Sequence, residues 1–240
     1  MLLSVILPCY DEEGAAARFE GELFPALDAL AVPYEVIAVD DGSCDGTGGV
    51  LRNLAGQRRS FKAAAHGYNR GLGAALKTGF AAASGDWIAT LDADLTFHPS
   101  QLRALLDCQK ATGADLVCGS PFLSPDGAAQ VSWWRRWPSL VVNALYRRLC
   151  GPRLTAYTPI FRLYRTEVLR SLRLESTGFE INAEIAARFL AAGKAVAEVP
   201  VVLTARREGS SKLSPFRELW RHSRLALRLR GQTITKFTNP

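Results

Sequence analysis

The chain has 240 residues, is 48% hydrophobic and carries a net charge of +6. That length and apolar content fit one large domain with a sizeable core, or one domain with an appendage. No run of about 18 apolar residues predicts a membrane-spanning helix, and five scattered cysteines with no Cys-x-x-Cys pair argue against a zinc site or a disulfide framework.

Leu3 to Leu7 predicts a buried strand ended by Pro8, with no charged-then-apolar leader pattern before it. Asp11-Glu12-Glu13 opens a helical pattern with apolar positions Phe19, Leu23, Leu27 and Leu30. Tyr34 to Val39 is a second strand, closed by Asp40-Asp41-Gly42-Ser43, and a short helix follows from Thr47. Phe61 to Ala65 is a weaker strand, and Gly71 to Ala83 an alanine-rich helix. Trp87 to Leu91 suits a buried strand, Pro99 to Thr112 a helix, and Ala114 to Gly119 a strand. This alternation implies a mainly parallel sheet with right-handed crossovers.

After Ser120 the rhythm changes. A turn-rich loop, Ser124 to Val131, precedes a basic, aromatic helix from Trp133 to Cys150. Thr155 to Tyr164 is a loop leading into a strand, Glu180 to Ala192 a helix with Ile181, Ile185 and Phe189 on one face, and Ala195 to Leu203 strand-like. The last helical pattern starts after Pro215. No repeat or low-complexity linker interrupts the chain. Four of Cys9, Cys44, Cys108, Cys118 and Cys150 sit in apolar or strand-like surroundings, and the cysteines read as reduced core residues of a cytosolic protein.

Basic charge is a property of the tail. Residues 205–240 hold nine Lys/Arg and two Glu, a net +7, which leaves −1 for the other 204. Arg217, Arg221, Arg224 and Arg228 share one helical stripe, while Phe216, Leu219, Trp220 and Leu227 take another face. The pattern fits an interfacial helix on anionic lipid and equally a surface helix packed on its own domain. Nucleic-acid binding ranks last, because aromatics do not alternate with the basic residues as stacking platforms do.

The central chemical signal is GDWIATLDADLTFHP, Gly85 to Pro99. Its strand ends on Asp92 and Asp94, and ligands bind at the carboxyl ends of strands in open α/β sheets. Two adjacent acids repel unless a cation sits between them, and Mg²⁺ is often held by one or two carboxylates plus substrate phosphates. The first three strands also end in polar clusters: Pro8-Cys9-Tyr10-Asp11-Glu12, Asp40-Asp41-Gly42-Ser43 and His66-Gly67-Tyr68-Asn69. The segment from Asp41 fails as a calcium loop, because Arg52 takes its twelfth position. Gly71-Leu72-Gly73 follows the third strand and lacks a third glycine, which rules out NAD or FAD binding; the helix it opens suits a diphosphate at its N-terminus. Lys77, about one turn inside that helix, is a candidate donor contact or a plain surface charge. Arg206-Arg207-Glu208-Gly209-Ser210-Ser211-Lys212 reads as a solvated linker or as a lid whose cations grip phosphate oxygens.

Taken together, SVILPCYDEEG, YEVIAVDDGSCDGT, NRGLGAALKTGF, GDWIATLDADLTFHP, ADLVCGS, TPIFRLYR and RREGSSKL resemble family 2 glycosyltransferases of the GT-A fold, and among them the dolichol-phosphate (polyprenyl-phosphate) sugar synthase branch. The resemblance runs from about Leu3 to Lys212 and implies a Rossmann-like, mainly parallel α/β sheet flanked by helices. It divides the chain into a 1–212 glycosyltransferase domain, with a 1–120 nucleotide-sugar half and a 121–212 acceptor half with a mobile loop, and a 213–240 basic amphipathic tail.

The resemblance assigns Pro8, Tyr10, Glu12, Val39, Asp41 and Ala93 to the donor, with Lys77 added. Asp92 and Asp94 match the acids that bind Mg²⁺ or Mn²⁺, with Thr96 a weaker third ligand where relatives often carry Gln. Arg206 and Lys212 match the phosphate-binding loop. Ser211, Arg135, Tyr157 and Thr158 are candidate acceptor or phosphate contacts. Pro121 stands where relatives often have Arg.

The implied activity is inverting transfer from a GDP- or UDP-sugar to a polyprenyl phosphate, at the cytoplasmic face of a membrane to which the chain binds peripherally. A soluble sugar, glycan or lipid hydroxyl is the alternative acceptor; it requires a base, with Asp94 or Glu184 as candidates. A nucleotide-sugar-binding module without turnover is the alternative of another class.

Overall fold

The computed structural model describes the backbone of residues 1–129, 133–151, 153–205 and 215–237. Its first half runs β1 (Leu3–Cys9), α1 (Glu13–Ala17), a π-helical turn (Phe19–Leu23), α2 (Phe24–Asp28), β2 (Tyr34–Asp40), α3 (Thr47–Gln57), β3 (Phe61–Ala65), α4 (Leu72–Ala82), β4 (Trp87–Thr90), a 3₁₀ turn (Pro99–Gln101), α5 (Leu102–Thr112) and β5 (Leu116–Ser120). The second half adds α6 (Trp133–Cys150), β6 (Arg162–Arg165), α7 (Thr166–Ser171), α8 (Ile181–Ala191), β7 (Val196–Pro200) and α9 (Pro215–Phe237).

These strands form one seven-stranded sheet in the order β3-β2-β1-β4-β6-β5-β7. The expected parallel sheet is present, with one difference: β6 runs antiparallel to β4 and β5 and lies between them. The second half of the chain is thus woven into the same sheet as the first. Alternation along the strands feeds two cores. Leu3, Val5, Leu7, Val36 and Ala38 face one side with Phe19, Phe24 and Leu105; Ile6, Ile37 and Val39 face the other with Leu76, Tyr146, Ile185 and Leu225.

The helix expected from Asp11 onward is broken into α1, a π turn and α2. Pro25 has no N–H to continue an α-helical ladder, and the π turn ends against it. Phe19, Leu23, Leu27 and Leu30 are nonetheless all buried as their spacing requires.

Two polar clusters hold the frame. The first is Glu35, on β2 and nearly buried. Its carboxylate accepts from Ser4 Oγ at 2.7 Å, Ser84 N–H at 2.6 Å and Lys62 Nζ at 2.6 Å. Burial alone would raise its pKa, but the donors Lys62, Ser4 and Ser84 outweigh burial and bring it down to about 2.

The second is a clasp between the segment before α8 and the start of α4. Gly73 N–H donates to the Thr177 carbonyl at 2.8 Å, and a β-carbon on Gly73 would lie 2.7 Å from Ser176 O and 2.8 Å from the Thr177 backbone. Gly71 adopts φ +92°, with Thr177 O equally close. Behind the clasp, Glu184 is fully buried and accepts from the Glu175 and Ser176 N–H groups and from Arg188. Burial opposes its ionisation, yet the bonds from Ser176, Arg188 and Glu175 keep its pKa below the ordinary carboxylate value.

Two outcomes follow from these contacts. The stabilisation from Glu35 is present above its unfolded pKa near 4.5 and is lost as pH falls toward 2. Glu35→Gln lowers stability at neutral pH by about 1–3 kcal/mol and flattens that acid limb, as denaturant titrations across pH will show. Gly73→Ala forces backbone apart at the clasp and costs about 1–3 kcal/mol, or roughly 2–10 °C in Tm by calorimetry.

Candidate active site

β1 pairs with β2 as far as Cys9–Asp40 but with β4 only as far as Ile6–Thr90. The last link is Leu91 N–H to the Ile6 carbonyl at 3.1 Å. Beyond it β1 and β4 part, and a crevice opens at the point where the strand order reverses around β1. Pro8 lies just past this last link, so its missing N–H breaks no ladder bond.

Side chains lace the loops around the crevice together. Asp11, at φ +49°, donates its N–H to Ser43 Oγ at 2.9 Å and accepts from Cys44 N–H at 2.7 Å. Glu12 N–H donates to Thr47 Oγ1 at 2.8 Å. Asp40 accepts from Ser43 N–H at 2.9 Å. Asp41 is buried and takes the Arg70 N–H at 3.0 Å, the Gly71 N–H at 2.7 Å and His66 Nδ1 at 2.6 Å; His66 Nε2 meets Thr78 Oγ1 at 2.9 Å. Asp41 was expected against the donor. Its carboxylate here joins the end of β2 to the start of α4, and so shapes the wall of the crevice.

The acid pair occupies the opposite wall. Leu91, Ala93, Leu95 and Phe97 are buried, whereas Asp92, Asp94 and Thr96 alternate with them and are only half-buried. A turn closed by Leu95 N–H to the Asp92 carbonyl at 3.1 Å brings this about, and it holds Leu95 at φ +55°. A leucine in the left-handed region is strained, and such strain clusters at functional sites. Thr96 N–H donates to Asp94 Oδ1 at 3.0 Å. Phe97 forms a bridge with Leu203, and the Thr204 N–H and Oγ1 both donate to the Thr96 carbonyl at 2.9 Å. The segment leading to Arg206 is therefore anchored beside the acids.

Two neighbouring carboxylates at a strand end fit a hard divalent cation that takes its remaining ligands from water and diphosphate oxygens. Among the described residues no third His, Cys, Asp or Glu completes an all-protein cluster.

The loop before β6 folds back over the sheet. Thr90 Oγ1, two residues before Asp92, donates to the Ile160 carbonyl. Ser120 Oγ meets Thr155 Oγ1 at 2.7 Å, and Glu198 accepts the Thr155 and Ala156 N–H groups at 2.7 and 3.0 Å. Thr158 is half-buried. Tyr157 is fully buried, stacked on Tyr146, and its hydroxyl donates to the Gly151 carbonyl. Arg162 is buried beneath this loop and donates to the carbonyls of Tyr157 and Asn182. Glu198 and Arg162 are not foreseen from the sequence; for Glu198 the signal is a charged residue inside the otherwise apolar strand β7.

Pro8, Tyr10 and Glu12 are half-buried at the carboxyl end of β1, and Val39 and Ala93 are buried. Lys77 lies elsewhere: it lines a cavity of about 540 Å³ with Tyr68, Arg70, Thr78 and Thr177, to which none of the acids contributes. The side chain of Arg135, and Arg206, Ser211 and Lys212 altogether, fall outside the described residues. Glu184, the alternative base, is held ionised inside the clasp, which suits it to fixing loop 175–176 and not to taking a proton.

Comparison with known proteins gives the family and the fold. Residues 4–173 match the family model "Glycosyl transferase family 2". The undecaprenyl-phosphate 4-deoxy-4-formamido-L-arabinose transferase of Edwardsiella ictaluri is 33% identical over 215 residues, covering 88% of this chain and 62% of that protein. The enzyme of the same name from Pseudomonas fluorescens is 32% identical over 219 residues, covering 90% and 61%. The chain thus spans a little over 60% of the length of these relatives. Glucosyl-3-phosphoglycerate synthase from Mycobacterium tuberculosis, solved with Mn²⁺, UDP and glucosyl-3-phosphoglycerate, superposes with a TM-score of 0.64 at 23% identity, covering 95% of this chain and 78% of that one. The same enzyme with Mg²⁺ and UDP gives 0.64 at 22%, covering 95% and 77%. With its matched residues, its seven-stranded sheet and its crevice at the switch point, the chain belongs to glycosyl transferase family 2 and has the GT-A fold.

Proposed function

We propose that this chain transfers a sugar from a nucleotide-sugar, GDP- or UDP-linked, to a polyprenyl phosphate, with inversion at the anomeric carbon. The observation that carries the reading is the placement of Asp92, Asp94 and Thr96 as the half-buried residues of a strained turn at the β1/β4 crevice. The activity for which the relatives are named, transfer to undecaprenyl phosphate, supports the acceptor class. The Mn²⁺ and Mg²⁺ complexes of the structural neighbour support a divalent ion.

Asp92 and Asp94, with Thr96 as a weaker ligand, would hold Mg²⁺ or Mn²⁺, which when bound neutralises charge on the departing diphosphate. Tyr10, Glu12 and the backbone at Val39 and Ala93 frame the nucleoside. Asp41 keeps the neighbouring wall in place through Arg70, Gly71 and His66. Arg206 follows Thr204 by two residues, a span of at most about 7 Å, so its charge can reach diphosphate oxygens near the acids. Lys212 and Ser211 close the same loop over the phosphates, and Arg135 and Thr158 serve the acceptor side.

In the transfer, an oxygen of the acceptor phosphate bonds to the anomeric carbon as the bond from that carbon to the diphosphate oxygen breaks. A phosphate monoester, with a second pKa of about 6, is already largely ionised near neutrality and needs positioning more than a base. That agrees with a site whose other candidate base, Glu184, is committed to structure. The acceptor lies in a membrane, and the basic tail suits the anionic cytoplasmic leaflet.

Labelled donor incubated with polyprenyl phosphate in detergent, and separately with soluble sugars, tests the reading. Product is expected on the lipid phosphate alone and only with Mg²⁺ or Mn²⁺. Asp94→Ala lowers the rate by about 10²–10³-fold or more while circular dichroism and Tm stay native. A well-folded Asp94→Ala chain with unchanged activity removes the metal role, product on soluble sugars alone removes the lipid acceptor, and donor binding without product makes the chain a binding module.

A further inference from the structure

Helices α6 and α9 pack side by side over the same core layer. Tyr146 Oη meets His222 Nδ1 at 3.0 Å, and Leu225 and Ala226 are buried with them. The arginine stripe read from the sequence divides on folding. Arg228 pairs with Glu175 at 3.1 Å and so holds α9 to the body, while Arg221 pairs with Glu218 of the same helix at 3.1 Å. Arg217, Arg224 and Arg230 stay exposed.

What α9 presents outward mixes large apolar side chains with arginines. Leu219 is 49% exposed, Trp220 59% and Leu227 68%, and the Arg224 guanidinium lies 4.6 Å over the Trp220 ring. α6 does the same: Trp137 is 60% exposed, Leu140 and Val141 are exposed beside it, and Arg147 and Arg148 follow at its C-terminal end. Six of the eleven large apolar side chains exposed among the described residues lie on these two helices. No carboxylate lies on either outward arc among the described residues; the one acid on α9, Glu218, is turned inward.

We infer that the outward arcs of α6 and α9 together form the face by which the chain lies on an anionic lipid bilayer. The inference rests on the lipid-phosphate reading above and deepens it by naming the surface that meets the membrane. Apolar side chains, tryptophans and arginines without acids are the chemistry of helices that settle at the headgroup boundary, with arginines reaching lipid phosphates and rings at the interface. A second copy of the chain would set arginine against arginine, which disfavours self-association through this face. The Arg228–Glu175 pair and the Tyr146–His222 contact keep α9 fixed to the domain, so the face is preformed.

Co-sedimentation of the full chain with vesicles tests this. Phosphatidylcholine vesicles with about 30% phosphatidylglycerol are expected to bind at least about tenfold more chain than phosphatidylcholine alone, and raising salt from about 0.1 M to about 0.5 M releases most of it. Trp220→Ser combined with Leu227→Ser lowers binding about tenfold, and Arg217→Gln combined with Arg224→Gln removes the preference for anionic lipid. Tm stays native in both, because these side chains are exposed. No sedimentation of the native chain, undiminished binding of the double serine variant, or a lipid-free dimer abolished by that variant each overturns the proposal. Transfer by the native chain to a short-chain polyprenyl phosphate in solution, without vesicles, reports separately. Transfer without docking fails this face alone, and docking without transfer to any polyprenyl phosphate fails the acceptor reading alone.

Discussion

The site depends on where β4 stops pairing with β1. Past Leu91 N–H to the Ile6 carbonyl the two strands no longer share hydrogen bonds, while β1 and β2 continue to Cys9 and Asp40. The backbone groups freed there are the reason a ligand can be received at that edge and not at the other end of the strands. A gap in a sheet is also a weak point. The surrounding loops compensate with bonds from side chain to backbone: Asp11, Asp40 and Asp41 each accept a neighbouring loop's or turn's N–H. Each such bond is worth on the order of 1–3 kcal/mol when its acceptor is charged, so several of them can keep a frame open that packing alone would collapse.

This frame changes how the acids at the crevice are divided. Asp40 and Asp41 end β2 and are buried, with their oxygens committed to Ser43, His66, Arg70 and Gly71. Asp92 and Asp94 follow β4 and are half-buried on the exposed side of their turn. Two pairs of acids, alike in sequence and both at strand ends, therefore have different work: one pair builds the wall and the other faces the space. Burial separates them, and burial depends on contacts remote in the chain.

That is also the line between what the residues disclosed and what they did not. The strands, with their runs of Val, Ile and Ala, and the long helices with regular apolar spacing were legible, because period and punctuation are local. The acid pair was legible because it closes such a run. The reversal of β6 was not, since four residues carry no mark of direction, and the short α7 gave too few turns to show a period. Tyr157 and Glu184 were credited with chemistry their polar groups could perform, whereas Gly151 and the 175–176 backbone claim those groups. The arginines of α9 read as one stripe in the sequence, and only Glu175, remote in the chain, shows that Arg228 turns toward the domain.

An in-line displacement tolerates little slack, because a misplacement of about 1 Å can cost about 10²-fold in rate. A donor half and an acceptor half joined by a hinge would have to recover that alignment at each turnover. Here β6 follows the 155–161 loop and inserts beside β4, the strand that leads to Asp92 and Asp94, and Thr90 Oγ1 donates to the Ile160 carbonyl. On the far side the Thr177 carbonyl holds Gly73, and Gly71 N–H holds Asp41. The two halves are thus tied at both margins of the crevice. Under the proposed reaction, the antiparallel strand that interrupts the sheet is what registers acceptor against donor.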